Sequence, residues 1–484
     1  METLQRTANR GSISTGYDID NSCKFESDNS EYLSRTPSSA GNRKTWTFSA
    51  WVKRTEITAT SNSTGNQNMV FSAGDTYLQF DGNAIWINHR AGSTNFFLAT
   101  NRLFRDTSAW YHIVWQLDTT DGTAADRAKL YINGVRETSF QNSTYDNMSQ
   151  NYDAAVNNTV EHEIGKYSLH DTTYAGMFNG YMAEIHLVDG TALTPTSFGE
   201  FDGDSGIWKP KAYAGSHGTN GFYLDFKDAA NLGNDASGGT DFAETNIASA
   251  DQATDTPTNN FCTLGLQVRA GTSNEVGPVR EGGTYMKQDG VNQFIGFFGT
   301  IGVTQGKWYW EFYVPSRSAS YGLLDYIGLH SIKTIPISGA ATGGTSQCNY
   351  VLHYGDYNAT VSGTNSGQNT AAGLPSYGTD GAGKTFGLAF NADDGQITFY
   401  ANNTRIGNAG IDIFDLHDDM GAGIFVLPFF SVYDNNLYVN FGGCSFWASP
   451  SDYDETDANG YGSFAYAPPS GYYALCSKNL AEFG

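Results

Sequence analysis

Three aspartates in one short stretch, Asp118, Asp121 and Asp126 of DTTDGTAAD, have the spacing of a carboxylate loop. Ca2+ takes oxygen ligands, and a turn that gathers several carboxylates supplies them. The same residues also make an ordinary solvated turn. A second chemistry is suggested by Tyr350, His353, Tyr354 and Tyr357 of CNYVLHYGDY, and by Tyr433 and Asn435 at the turn Tyr433–Asn436. Sugars offer C–H faces and hydroxyls, which aromatic rings beside amides and carboxylates can hold. Loop tyrosines also cap cores or form subunit contacts, and both alternatives stay open. Catalysis is the third case. Glycoside hydrolysis uses two carboxylates across the scissile bond. Glu184 and Asp189 of YMAEIHLVD are five residues apart, so strand alternation puts them on opposite faces. His112 and His186 lie within strands without base–nucleophile spacing and read as packed. His162 and His170 flank a loop but lack the further ligands a zinc site needs. No enzymatic activity is expected.

The composition sets the elements that must position these residues. Among 484 residues there are 56 glycines, 12 prolines and 14% aromatic residues, a profile of many short strands and tight turns. The charge is 27 basic against 50 acidic residues, net −23. Without Lys/Arg clusters to meet phosphates, nucleic-acid binding is not expected. Cys23, Cys262, Cys348, Cys444 and Cys476 are far apart and form no Cys-x-x-Cys pair, so free thiols are expected. The N-terminal METLQRTANRGSIS has no apolar signal-peptide core, and no long apolar run suggests membrane insertion.

Strand patterns fall in two blocks. In the first, Lys44–Lys53 alternates Trp46, Phe48, Ala50 and Val52 on one face with Thr47, Ser49, Trp51 and Lys53 on the other. Strands are predicted at Asn68–Ser72, Thr76–Phe80, Ala84–Asn88, Asn95–Leu98, Trp110–Leu117, Lys129–Ile132 and Phe178–Val188. Asn133-Gly134 suits a type I′ hairpin turn. In the second block, strands are predicted at Gly306–Val314, Ile327–His330, Lys384–Asn391, Gln396–Tyr400, Phe425–Val432 and Leu437–Phe441. Between the blocks, 201–264 is rich in Gly, Asn, Asp, Ser and Thr and reads as a loop-rich connector.

WTFSAWVKR, WYHIVWQLDTT, KLYINGVRE and FNGYMAEIHLVDGTALTP together resemble the laminin-G-like, concanavalin-A-like jelly roll. The resemblance implies two packed antiparallel sheets whose rim loops, in many relatives, bind glycans or Ca2+. Hydrolases of that group carry Glu-x-Asp-x-x-Glu on one strand, and no such run occurs here. GKWYWEFYV, GLAFNADDGQITFYANNTRIG and LPFFSVYDNNLYVNFG resemble the B30.2/SPRY β-sandwich, a protein-interaction module without a catalytic centre. Asn391, where relatives carry Asp, and Asn402-Asn403-Thr404, where they carry Asn-Gly, depart from that pattern. The expected fold is all-β. It has an arm over 1–21, a laminin-G-like sandwich over 22–200, the connector over 201–264 and a SPRY-like sandwich over 265–484.

The order of modules, connector and tail PPSGYYALCSKNL resembles structural proteins of tailed phages, especially marine ones. That resemblance implies a virion protein, assembled in the host cytoplasm and carried on the particle exterior as a tail fibre or receptor-contacting appendage. Its expected partners are host-surface polysaccharide or protein, other virion chains through the arm Met1–Asn21, and further copies of itself. The alternative is a capsid decoration or connector that contacts only other virion chains.

Overall fold

The computed structural model describes residues 16–57, 67–91, 94–144, 148–168, 176–269, 279–286, 294–315, 325–331, 350–354, 359–362, 368–369, 383–412, 425–433, 436–443 and 453–484. The chain is all-β, with multiple antiparallel sheets, and divides into two compact units. One comprises Ser12–Asn259; the other is built around Asn260–Gly484.

The first unit is a sandwich of two sheets, each of eight strands among the described residues. In one sheet Thr45–Arg54 lies between Trp110–Asp118 and Gly180–Asp189. Its alternation resolves as expected: Trp46, Phe48, Ala50 and Val52 enter the core with Tyr111, Ile113, Trp115 and Leu117. The second sheet runs through Gln67–Ala73, Thr76–Asp81, Ala84–Ala91 and Thr94–Leu103. Its Val70, Phe71, Leu78, Phe80, Ile85, Ile87, Phe96 and Leu98 close the core from the other side. At Asn133-Gly134 both residues take positive φ (48° and 79°), the geometry a two-residue hairpin turn requires. The Trp208 ring sits against Gly134, where a Cβ would come within 2.3 Å of it.

The stretch that reads as a connector is built into this unit. Phe222–Leu224 pairs with Gly180–Asp189, Ala243–Thr245 with Tyr32–Arg35, and Gln252–Ala253 with Ser22–Phe25. The reason lies on the outward face of the first sheet. Trp51, Trp110, His112, Val114 and Tyr181 alternate outward there, a surface too apolar to leave in water, and all are 5% exposed or less. Residues 198–255 cover it. Trp208 stacks on His112 (5.8 Å between centroids, 22°), and Phe198 packs with Val114 and Val188.

Three buried ion pairs fasten the cover. Lys53 Nζ lies 2.6 Å from Asp255 Oδ2, while Trp110 Nε1 donates to Asp255 Oδ1 at 3.0 Å. Lys24 meets Asp251 at 3.1 Å, and Arg35 meets Asp235 at 3.1 Å with its guanidinium over the Phe222 and Phe242 rings. Asp235, Asp251 and Asp255 of the expected connector are therefore partners for lysines and an arginine of the sandwich. From the arm, Tyr17 and Ile19 also pack onto this unit, Ile19 bonding Thr258 through both its N–H and its C=O.

The second unit is also a two-sheet sandwich, of seven and eight strands among the described residues. Lys307–Val314 sends Trp308, Trp310, Phe312 and Val314 into its core, where Phe312 stacks on Phe386 (5.0 Å, 7°). Asn402 and Asn403 both hold positive φ (44° and 61°), so two asparagines make the turn into Thr404–Asp412 without a glycine. Asn391 accepts the N–H groups of Asp393 and Asp394, closing the turn that follows it. A C-terminal tail covers part of the eight-stranded sheet. Tyr473–Ala474 pairs in parallel with Lys307–Val314, an exception to the antiparallel rule, and Ser477–Phe483 is a short helix. Among the described residues no helix is long and apolar enough to cross a membrane.

Candidate functional site

The three aspartates of the expected calcium loop are each taken up locally. Asp118 Oδ1 accepts the N–H and hydroxyl of Thr120 (3.1 and 2.6 Å), and Asp121 Oδ1 accepts the Thr123 N–H (2.8 Å). Asp126 Oδ1 pairs with Arg136 at 2.9 Å and Lys129 at 3.7 Å, and the Arg136 hydrogen bond holds its carboxyl below the usual range. Among the described residues no group of three ligating side chains could hold a metal ion. Short turns favour this outcome, because Asp bonds its own backbone two residues on.

Tyr350, His353 and Tyr354 are not loop residues. They belong to the strand Tyr350–Tyr354, in register with Leu329, Tyr326 and Asp325. Tyr433 ends the strand Val426–Tyr433 opposite Phe294. Tyr357 and Asn435 lie outside the described residues, as do His170, Cys348 and Cys444. Cys23, Cys262 and Cys476 are buried.

A cleft the sequence reading did not single out lies on the outward face of the second sheet of the first unit. It encloses about 460 Å³ and is lined by the turn Asp81–Ala84, by Trp86, Phe97, Ala99 and Leu103, and by Gln141 and Asn142 of the edge strand. Its geometry follows from strand alternation. Ile85, Ile87, Phe96 and Leu98 are in the core, which turns Trp86, Phe97 and Ala99 outward. In register, Trp86 stands opposite Ala99, and Ala99 opposite Asn142. The small alanine therefore forms a floor between an indole wall and an amide wall, two strand spacings or about 9–10 Å apart. Phe97 meets Trp86 edge to face (4.9 Å, 83°), fixing the indole. Leu103 is 48% exposed at the rim. Buried Arg54 braces the turn from behind, donating to the carbonyls of Gly82 (3.1 Å) and Phe104 (2.8 Å). The available signal was Trp86 in AIWINHR, a lone tryptophan on the polar phase of an alternating strand.

A second polar cluster lies on the first sheet. At Ala183/His186 the strand Gly180–Asp189 carries a β-bulge, with Glu184 at φ 49°. The bulge lets Ile185 and Leu187 enter the core while Glu184 and His186 stay outside it. The Glu184 carboxylate accepts the Tyr223 hydroxyl (2.6 Å) and the Tyr17 hydroxyl (2.9 Å), and His186 Nε2 stands 3.6 Å away. Burial pushes this carboxyl up, but the neighbouring His186 and hydrogen bonds from the Tyr223 and Tyr17 hydroxyls bring it below its ordinary range. His186 Nδ1 and His217 Nε2 are 3.1 Å apart, and burial, then the neighbouring His186, lowers His217 to about 4. Asp189, at the strand end, instead accepts from Asn42, Asn157 and Asn220. The two carboxylates thus serve separate networks.

His112 is packed, as expected. Trp208 Nε1 donates to its Nδ1 (3.0 Å), so Nε2 carries the proton toward Ser49 Oγ (2.9 Å). Burial, with a smaller push from His186, lowers it to about 3. A neutral ring locked between an indole and a hydroxyl is a structural element.

Residues 27–197 match a laminin-G family model described as the concanavalin A-like lectin/glucanases superfamily, and that stretch is a concanavalin A-like, laminin-G-type domain. No curated protein matches the chain. Among solved structures, it is similar to the SPRY domain of human HERC1, with 14% identity, 35% of this chain and 92% of the other covered, and TM-score 0.24. It is similar to domains LG4-5 of the mouse laminin alpha1 chain, with 8% identity, 96% and 89% covered, and TM-score 0.29. The heptameric SAP-like pentraxin of Limulus polyphemus gives 15% identity, 37% and 80% covered, and TM-score 0.24.

Proposed function

We propose that the chain is a non-enzymatic structural protein of a phage particle, an exterior appendage whose first unit binds host-surface saccharide. The observation that carries the binding reading is the Trp86 cleft: an aromatic wall, an alanine floor and amide side chains on a lectin-type sandwich. Catalysis is not part of the proposal. Asp81 is the one carboxylate among the described residues lining the cleft, and glycoside hydrolysis takes two.

The virion assignment is supported by the resemblance of the module order and tail to tailed-phage proteins. Repetition in a homo-oligomer would suit a weak saccharide site, since linked copies rebind at high effective concentration. The arm contacts other virion chains in this account through residues preceding Tyr17, because Tyr17 and Ile19 are engaged within their own unit. Antibody labelling of intact particles, combined with adsorption of free protein to host cells, tests the assignment. Tail labelling with adsorption is expected; capsid labelling without adsorption would replace the appendage with a decoration protein.

A further inference from the structure

We propose that the Trp86 cleft selects uncharged saccharide chains over acidic ones. This rests on the saccharide-binding reading above and specifies its ligand class. Among the described residues that line the cleft there is no lysine, arginine or histidine. The nearby Arg54 is 1% exposed and directs both Nη groups to carbonyls behind the turn, with its guanidinium 4.6 Å from the Phe80 ring centroid. A uronate, sialate or sulfate entering the cleft would meet the Asp81 carboxylate and no lining cation, on a chain of net charge −23. Removing an anion from water without a counter-charge costs far more than burying a hydroxyl that finds a partner.

The polar atoms point the same way. Trp86 Nε1 and Asn83 Oδ1 are buried without a hydrogen-bond partner among the described residues, one a donor and the other an acceptor. A sugar hydroxyl both accepts and donates, so it can serve either atom after a small side-chain adjustment. An ionised carboxylate or sulfate only accepts, and leaves Asn83 Oδ1 unserved. The C–H face of a neutral pyranose matches Trp86 and Phe97, while Gln141 and Asn142 bond its ring hydroxyls.

The test is titration of the full chain with neutral polysaccharides (dextran, mannan, β-glucan) and acidic ones (hyaluronate, polysialate, a sulfated glycan) at low and high salt. Binding to at least one neutral chain is expected, about tenfold or more tighter than to any acidic chain. It should change little with salt, since no ion pair is screened. Trp86→Ala and Ala99→Leu, which removes the wall or fills the floor from outside the core, should each weaken it about tenfold with an unchanged circular dichroism spectrum. Preference for an acidic chain that Trp86→Ala abolishes would overturn the neutral selectivity and leave the cleft as the site. Neutral binding untouched by both variants would overturn the cleft itself. No binding to any saccharide by folded protein would overturn both.

Discussion

Each unit hides one apolar sheet face beneath later chain, and the two do so with opposite electrostatics. In the first, residues 198–255 are held by Lys24–Asp251, Arg35–Asp235 and Lys53–Asp255, each a buried pair of opposite charges. In the second, the backbone of the tail is received by a carboxylate that, among the described residues, has no cation beside it. Glu311, fully buried, accepts the N–H groups of Ala465 and Tyr466 (both 2.9 Å), the Tyr309 hydroxyl (3.2 Å) and Asn440 Nδ2 (3.4 Å). Burial raises it to about 7, and those four donors only partly offset the desolvation. Paired charges make a cover that fails when one partner is lost. A lone carboxylate makes one that responds to pH near neutrality.

The largest effect should come from breaking a pair. Asp255→Ala strands Lys53 in a dry site, which costs about 3–5 kcal/mol. Loss of hydrogen-exchange protection should reach the strands Thr45–Arg54 and Trp110–Asp118 and spare Lys307–Val314. Replacing both partners together, Lys53→Met with Asp255→Leu, should recover much of that loss, because apolar groups of similar volume can substitute for a buried pair. Failure to recover would mean the pair does more than neutralise charge.

The second unit should differ in kind. Glu311 has a folded value of about 7 against an ordinary 4.5, so the native state keeps a proton that the unfolded chain has released. Its contribution is therefore fully present below about 4.5 and lost as pH rises through about 7. Relative to Glu311→Gln, which cannot titrate, the wild type should lose on the order of 3 kcal/mol between pH 4.5 and 8. A pH-independent difference in chemical denaturation would contradict this. The smallest effect is expected at Asp118, Asp121 and Asp126: chelation should leave the melting temperature unchanged. A downward shift would mean the carboxylates leave their turn partners to gather around an ion.

Strand positions were legible because alternation is a local property. WTFSAWVK and GKWYWEFYV each declare which face is buried, and the structure places both within a residue of expectation. The cover over 198–255 was not legible as part of a unit. Its Asp235, Asp251 and Asp255 look solvated in sequence, and their partners lie 200 to 227 residues away in the chain, too far for any local pattern to reveal. Glu184 shows a second limit: a bulge is invisible to a period-two reading. The cleft is a third. Trp86, Ala99 and Asn142 come together only through register across three strands. Tyr350 and Tyr354 read as loop residues in the sequence and lie in a strand.

The most direct test of the central claim is a crystal structure of the chain soaked with a neutral oligosaccharide that it binds in solution. A pyranose ring should appear above Ala99, with its C–H face toward Trp86 and hydroxyls within hydrogen-bond distance of Gln141 or Asn142. A sugar bound instead in the second unit, beside Tyr354 and Tyr433, with the Trp86 cleft filled only by water, would contradict it.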